Sequence, residues 1–249
     1  MAVLAEPRQQ AILELITAGG HAVVSELARR FDVSEMTIRR DLKVLESMGL
    51  AVRVHGGAVS GERSRFTSRL SANARAKARA VAKLAPHIPA RGCIYLDGST
   101  TVLNLVRHLR GRDQLQVATN NVETFNRLAL VRGPSPILIG GSLDFRTDNL
   151  IGPLAMRSIE ALVFETAFFS SWGLTMATGL NEATTEDAEV KEQVARRTRQ
   201  VCVAVDQSKF GVIAGGVWSH GAEKSILATD LEPDDPRLDP FRDMFNSII

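Results

Sequence analysis

The run Ile94-Tyr95-Leu96-Asp97-Gly98-Ser99-Thr100-Thr101 passes from an apolar stretch to an acid, a glycine and three hydroxyls, and a helical pattern follows at once. A strand-to-helix junction of this kind presents free backbone amides and the positive end of a helix dipole, which suits an anion such as phosphate. The same residues also fit a plain helix start capped by Ser99, with no ligand. Two further apolar runs end in Thr119-Asn120-Asn121 and Gly140-Gly141-Ser142. Ends of parallel strands in register form a crevice for ligands, here lined by Asp97, Gly98, Ser99, Thr100, Thr101, Asn120, Asn121, Gly140 and Gly141. Lys191, in a helical pattern that begins at Glu186, and Lys209, just beyond a later apolar run, offer point charges for a phosphate. Either lysine alone reads as solvated surface.

A second set lies near the N-terminus. Ile38, Leu42 and Leu45 recur at helical spacing, which sends Met36, Arg40 and Lys43 to the opposite face with Thr37 and Arg39 beside them. Ser34 is placed to cap that helix. Its first residues have the chemistry to meet base edges and phosphates in a major groove. An ordinary amphipathic surface helix would carry the same arginine pair.

These residues need elements to hold them. Pro7 opens a helix with Ile12, Leu13, Leu15 and Ile16 on its apolar face, and Gly19-Gly20 ends it. Ser25 is expected to cap a short second helix carrying Leu27, Ala28 and Phe31. Residues 50–59 alternate around His55-Gly56-Gly57, which predicts two short strands and a tight turn. Residues 1–60 thus make a first domain and residues 61–75, polar and Arg-rich, a linker. Over residues 76–230, strands at 93–97, 115–119, 136–139, 166–170 and 200–205 alternate with helices at 101–109, 122–131, 155–162 and 186–199. That order predicts an α/β domain with a doubly wound, mostly parallel sheet. Residues 231–249, rich in Pro and Asp, read as a tail.

The formal net charge of +2 hides unlike segments. Residues 1–60 balance seven basic against seven acidic side chains, residues 61–91 carry eight against one, and the remainder carries 15 against 20. A basic excess beside a small domain suits phosphate neutralisation, although such a run also describes a solvated helix face. Cys93 and Cys202 are not spaced for a disulfide framework or a structural metal, and the five histidines lack metal-ligand spacing. No cofactor is implied, since neither a Gly-Lys-Ser/Thr phosphate loop nor a Gly-x-Gly-x-x-Gly turn occurs. Short, interrupted apolar runs predict no membrane segment, and a cytoplasmic protein is expected.

Residues 8–59 resemble the DeoR-family winged helix-turn-helix almost continuously. The matching phrases are Arg8 to Leu15, Ser25-Glu26-Leu27-Ala28, the run from Val33 to Leu42, and Arg53-Val54-His55-Gly56-Gly57-Ala58. The resemblance implies that the third helix docks on double-stranded operator DNA and that the wing, with Arg53, His55 and Gly56, touches its backbone or minor groove. Asp41 is expected to orient Arg39 or Arg40. Residues 76–230 resemble the family's C-terminal sensor domain, which is similar in fold to ribose-5-phosphate isomerase. A phosphorylated sugar or related metabolite is the implied effector, and repression of a carbohydrate operon by a homodimer or homotetramer the implied function.

One departure concerns the fourth strand's end, where family members commonly have Gly-x-Asp-Gly and this chain has Ser170-Ser171-Trp172-Gly173. Trp172 then replaces an acid in the effector site, unless it simply packs in the core. The alternative reading is an isomerase-like enzyme with an accessory DNA-binding domain, using Asp97 or Glu186 as the general base. A third is a second domain that only oligomerises.

Overall fold

A computed structural model describes residues 7–19, 21–48, 50–54, 56–60, 69–144, 147–218 and 225–249. The chain divides into two compact units, Met1–Ser71 and Ala72–Ile249.

In the first unit, α1 (Pro7–Gly19), α2 (Val24–Phe31) and α3 (Glu35–Ser47) pack with a small antiparallel sheet of β1 (His21–Val23), β2 (Ala51–Val54) and β3 (Gly57–Ser60), in the order β1-β3-β2. Ile12, Ile16, Leu27, Ile38, Leu42 and Leu45 fill the core, as their helical spacing requires. Ser34 caps α3 by accepting a hydrogen bond from Thr37 N at 3.2 Å. Ser25 does not cap α2. β1 runs straight into that helix, so Val23 stands at the cap without a side-chain bond and Ser25 already lies in the first turn. Gly57 is where β1 crosses the hairpin, and a Cβ there would stand 2.2 Å from Ala22 O.

The second unit is built on seven parallel strands in the order β15-β14-β12-β9-β4-β5-β6. They are β4 (Gly92–Leu96), β5 (Leu115–Thr119), β6 (Ser135–Leu138), β9 (Phe164–Phe169), β12 (Thr198–Val205), β14 (Ser225–Thr229) and β15 (Ser247–Ile248). A hairpin of β7 (Ser142–Asp144) and β8 (Asn149–Ile151), and a small antiparallel sheet of β10 (Gly173–Thr175), β11 (Gly179–Glu182) and β13 (Gly216–Trp218), stand beside it. The helices are α4 (Ala74–Leu84), α5 (Val122–Ala129), α6 (Pro153–Glu160) and α7 (Thr185–Arg196). The chain builds outward from β4 through β5 to β6, then returns to β9 and builds the other way. Right-handed crossovers therefore put α5 and α7 on opposite faces, and the direction reverses between β4 and β9.

Four expectations need correction here. The segment after Thr101 is a 3-10 helix, Val102–His108, rather than an α-helix. α7 ends at Arg196 because Thr198 already pairs with Phe164 in the sheet. Residues 231–249 are no separate tail: Leu238, Phe241 and Phe245 are buried, and β15 pairs with β14 at the sheet edge. The polar composition masked three apolar anchors. At the other end, α4 starts at Ala74 with Asn73 at its cap, inside the stretch expected to be linker.

Candidate functional site

Asp97 closes β4 where the winding reverses. Its N–H donates to Phe168 O on β9 at 3.0 Å. Its Oδ1 accepts from Ser99 N (3.0 Å) and Ser99 Oγ (2.6 Å), and its Oδ2 from Ser170 N at 2.8 Å. Lys191 reaches the same Oδ2 at 3.1 Å, Glu182 Oε1 at 2.5 Å and Ser170 O at 2.7 Å. Two buried carboxylates thus share one buried ammonium. Burial raises the Glu182 carboxyl above its ordinary range, with Lys191 opposing. Burial works to lower the Lys191 value, but the charges of Glu182 and Asp97 outweigh it and hold the ammonium high.

The next strand end is equally bonded. Asn121 caps α5 by accepting from Thr124 N at 2.8 Å and donates to Asn149 Oδ1 at 2.9 Å, while Asn149 donates to Asp187 Oδ1 at 2.9 Å. Gly98 lies under this chain, where a Cβ would fall 1.8 Å from Asn149 Oδ1. Asn120 Oδ1 accepts from the Tyr95 hydroxyl at 2.7 Å, and burial holds that phenol well above its ordinary value.

Beyond Gly98, Thr100 and Thr101 are buried, and Thr100 Oγ1 accepts from Lys77 Nζ of α4 at 3.0 Å. Lys209 follows β12 and stands 5.3 Å from the centre of the Trp172 ring. Trp172 is 37% exposed and does not pack in the core, where Trp218 lies instead. A Cβ on Gly141 would abut Ile151 and Ala155, Gly140 is exposed and a Cβ there would meet Ser158 Oγ at 4.0 Å, and exposed Glu186 is bonded by Thr185. These contacts give Glu186, Gly140 and Gly141 no tie to Asp97. Ser99 Oγ is spent on Asp97 and on Val102 N, and the short 3-10 helix that follows supplies little dipole. At this strand end the cation beside the buried hydroxyls of Thr100 and Thr101 is Lys77.

On the first unit, Met36 is 63% exposed, and Ser34, Arg39, Arg40 and Lys43 are exposed with Thr37 half-buried. Arg39 pairs with Glu35 at 3.3 Å. Arg53 of β2 bonds Glu46 of α3 at 2.7 Å, a hydrogen bond that lowers the Glu46 carboxyl and fixes the wing to the helix. Gly56 turns the hairpin with φ +81°, and His55 lies outside the described residues. Asp41 does not orient Arg39 or Arg40. It is buried and accepts from Arg8 Nε at 2.6 Å and Gln9 Nε2 at 3.1 Å, tying α1 to α3.

Residues 72–230 match the DeoR C terminal sensor domain, and residues 8–64 the DeoR-like helix-turn-helix domain. The chain belongs to the DeoR family. Among DeoR-type relatives, the HTH-type transcriptional regulator GolR of Listeria innocua is 34% identical, covering 90% of this chain and 89% of that protein. The glycerol-3-phosphate regulon repressor of Escherichia coli is 30% identical over 82% of each. A solved ribose-5-phosphate isomerase A from Neisseria gonorrhoeae overlaps 55% of this chain and 53% of its own at 11% identity and a TM-score of 0.40, too slight a likeness to carry inference. This DeoR-family chain is a DNA-binding transcriptional regulator. Among its described residues no helix is long and apolar enough to cross a membrane, and no group of three His, Cys, Asp or Glu could hold a metal.

Sequence reasoning about this DeoR-family site missed Lys77, Glu182, Asn149 and Asp187. Lys77 was counted within the basic run, yet it shares a face with Val81 and Leu84 at i+4 and i+7, the signal of a buried position. Its neighbours are also spent inside the unit: Arg79 pairs with Asp230 at 3.5 Å and Lys83 donates to Leu231 O at 2.9 Å.

Proposed function

We propose that this regulator is a repressor whose grip on operator DNA is set by a phosphorylated, hydroxyl-bearing metabolite held at the carboxyl ends of β4, β5, β9 and β12. The observation that carries the reading is the buried Lys77–Thr100 contact at the edge of the winding-reversal crevice. Open parallel sheets bind ligands there, and a buried lysine beside hydroxyls suits a phosphate. In this reading Lys77, Thr100, Thr101 and Lys209 take the phosphate, while Asp97, Gly98, Ser99, Asn120, Asn121 and Lys191 set the crevice's shape and charge. Trp172 borders it; Glu186, Gly140 and Gly141 lie further out. A relative named for glycerol-3-phosphate supports a phosphorylated polyol or sugar as the class.

Ser34, Met36, Thr37, Arg39, Arg40 and Lys43 form the DNA face of α3, with Arg53, His55 and Gly56 in the wing. Winged-helix regulators read paired half-sites, so a homodimer or homotetramer acting in the cytoplasm is the working assembly. We infer sensing without turnover. Both oxygens of Asp97 are already bonded, and Glu186 is exposed beside Thr185, so neither stands as a ready general base.

Thermal-shift titration with phosphorylated sugars and polyols, paired with operator release followed by fluorescence anisotropy, tests the reading. A ligand at 100 times its dissociation constant stabilises by about 2.7 kcal/mol. Stabilisation together with altered operator affinity is expected. Isomerisation of any such ligand favours the enzyme, and indifference to all of them leaves an oligomerisation domain.

A further inference from the structure

We propose that Asp206 is a further ligand-binding residue of the crevice, its Oδ2 accepting a hydrogen bond from a hydroxyl group of the effector. The inference rests on the proposed phosphorylated effector for the ligand's class and on a separate observation for the residue. Asp206 follows β12, the strand beside β9 on the side away from β4, and is only 1% exposed. Its Oδ1 is crowded with donors: Ser208 N at 3.0 Å, the Ser208 hydroxyl, and Asn73 Nδ2 at 3.2 Å. Its Oδ2 is buried and accepts from no described residue.

The other carboxylates along this end of the unit differ. Asp97 has both oxygens bonded, as does Asp187, which takes Asn149 on one and the Thr184 hydroxyl at 3.1 Å on the other. Asp230 takes Gln207 N on Oδ1 at 2.7 Å and Arg79 on Oδ2 at 3.5 Å. A buried carboxylate oxygen without a donor is costly, and one donor restores the balance.

The surroundings define that donor. Asn73, which holds Asp206, caps α4, and Lys77 one turn later holds Thr100. Lys209 N donates to Asp206 O at 3.0 Å. Asp206 is thus bonded to Asn73, one turn before Lys77, and through its backbone to Lys209. A carboxylate repels a phosphate dianion, and among the described residues no group of three His, Cys, Asp or Glu could hold a metal. A neutral hydroxyl a few bonds from the phosphate meets both conditions, and makes Asp206 a reader of the ligand's hydroxyl pattern.

Calorimetry on the full chain and on Asp206→Asn tests this with ethyl phosphate, glycerol 3-phosphate and sorbitol 6-phosphate. The substitution keeps an acceptor for Ser208 and Asn73 and turns Oδ2 into an N–H donor. The expected result is ethyl phosphate binding within twofold of the wild type and at least tenfold weaker binding of the hydroxylated esters. Equal weakening of all three overturns the inference in favour of a role in shaping the phosphate pocket, and no change in any overturns it in favour of a resident water. If the variant does not fold, the wild type labelled with carbon-13 at aspartate carboxyls decides. A shift of the Asp206 signal with glycerol 3-phosphate but not ethyl phosphate supports the contact, and identical responses refute it. Failure of every ester to bind the wild type refutes the phosphate reading instead, and unphosphorylated sorbitol then reports on Asp206: weaker binding by the variant supports it, and equal or absent binding refutes it.

Discussion

Lys77 Nζ donates to Thr100 Oγ1 across 3.0 Å, both residues being buried, so the first full turn of α4 is fastened to the loop that follows β4. A charge-assisted bond in such a setting keeps a lysine where an anion can share it.

Lys77→Met is therefore expected to weaken a phosphorylated effector by about 1.5 to 3 kcal/mol, the range for a hydrogen bond to a charged group, while operator binding persists. Calorimetry and anisotropy on the same preparation check both halves. Full effector affinity in this variant removes Lys77 from the site.

Lys191 is expected to behave differently, because it answers to Asp97 and Glu182 rather than standing open to a ligand. Lys191→Met strands two buried carboxylates and should cost about 3 to 5 kcal/mol of stability. Glu182→Gln adds a pH signature. Burial raises the folded-state Glu182 value, so its contribution is complete below the ordinary glutamate range and is lost as pH climbs through the raised value. Melting curves of the wild type should decline across that window, and those of Glu182→Gln should be flatter. Parallel curves count against the assignment.

On the DNA side, Arg40 is exposed on the face of α3 opposite buried Ile38, Leu42 and Leu45. Arg40→Ala should cost roughly 1 to 3 kcal/mol on the operator and little on random DNA if it reads a base edge. Equal losses on both mark a phosphate contact.

Asp41→Ala should destabilise the first unit by about 1 to 3 kcal/mol, since Arg8 and Gln9 lose their shared acceptor. Chemical denaturation of the full chain resolves this as an earlier transition. An unchanged transition denies Asp41 its role in joining α1 to α3.

Periodicity carried much of this fold. Ile38, Leu42 and Leu45 announced the buried face of α3, and apolar runs ending in Asp97, Asn120 and Asn121 marked strand ends that the parallel sheet gathers. What escaped depends on partners distant in sequence. Asp41 looked like a neighbour of Arg39 and Arg40, because nothing local shows that α1 delivers Arg8 to it. Lys191 looked like an open charge until β11 brought Glu182 to it. Leu238, Phe241 and Phe245 were diluted by prolines and aspartates that solvent-facing turns tolerate.

Asn73 and Asp206, which clamp the start of α4 to the end of β12, are 133 residues apart in the chain. The pocket proposed above, assembled from such remote pieces, would exist only while the whole unit is closed, so an effector bound there would shrink the opened population that proteases attack. In that proposed reading the metabolite would govern how long each regulator molecule survives as well as what it does. Cells starved of it should hold less of the protein at equal synthesis.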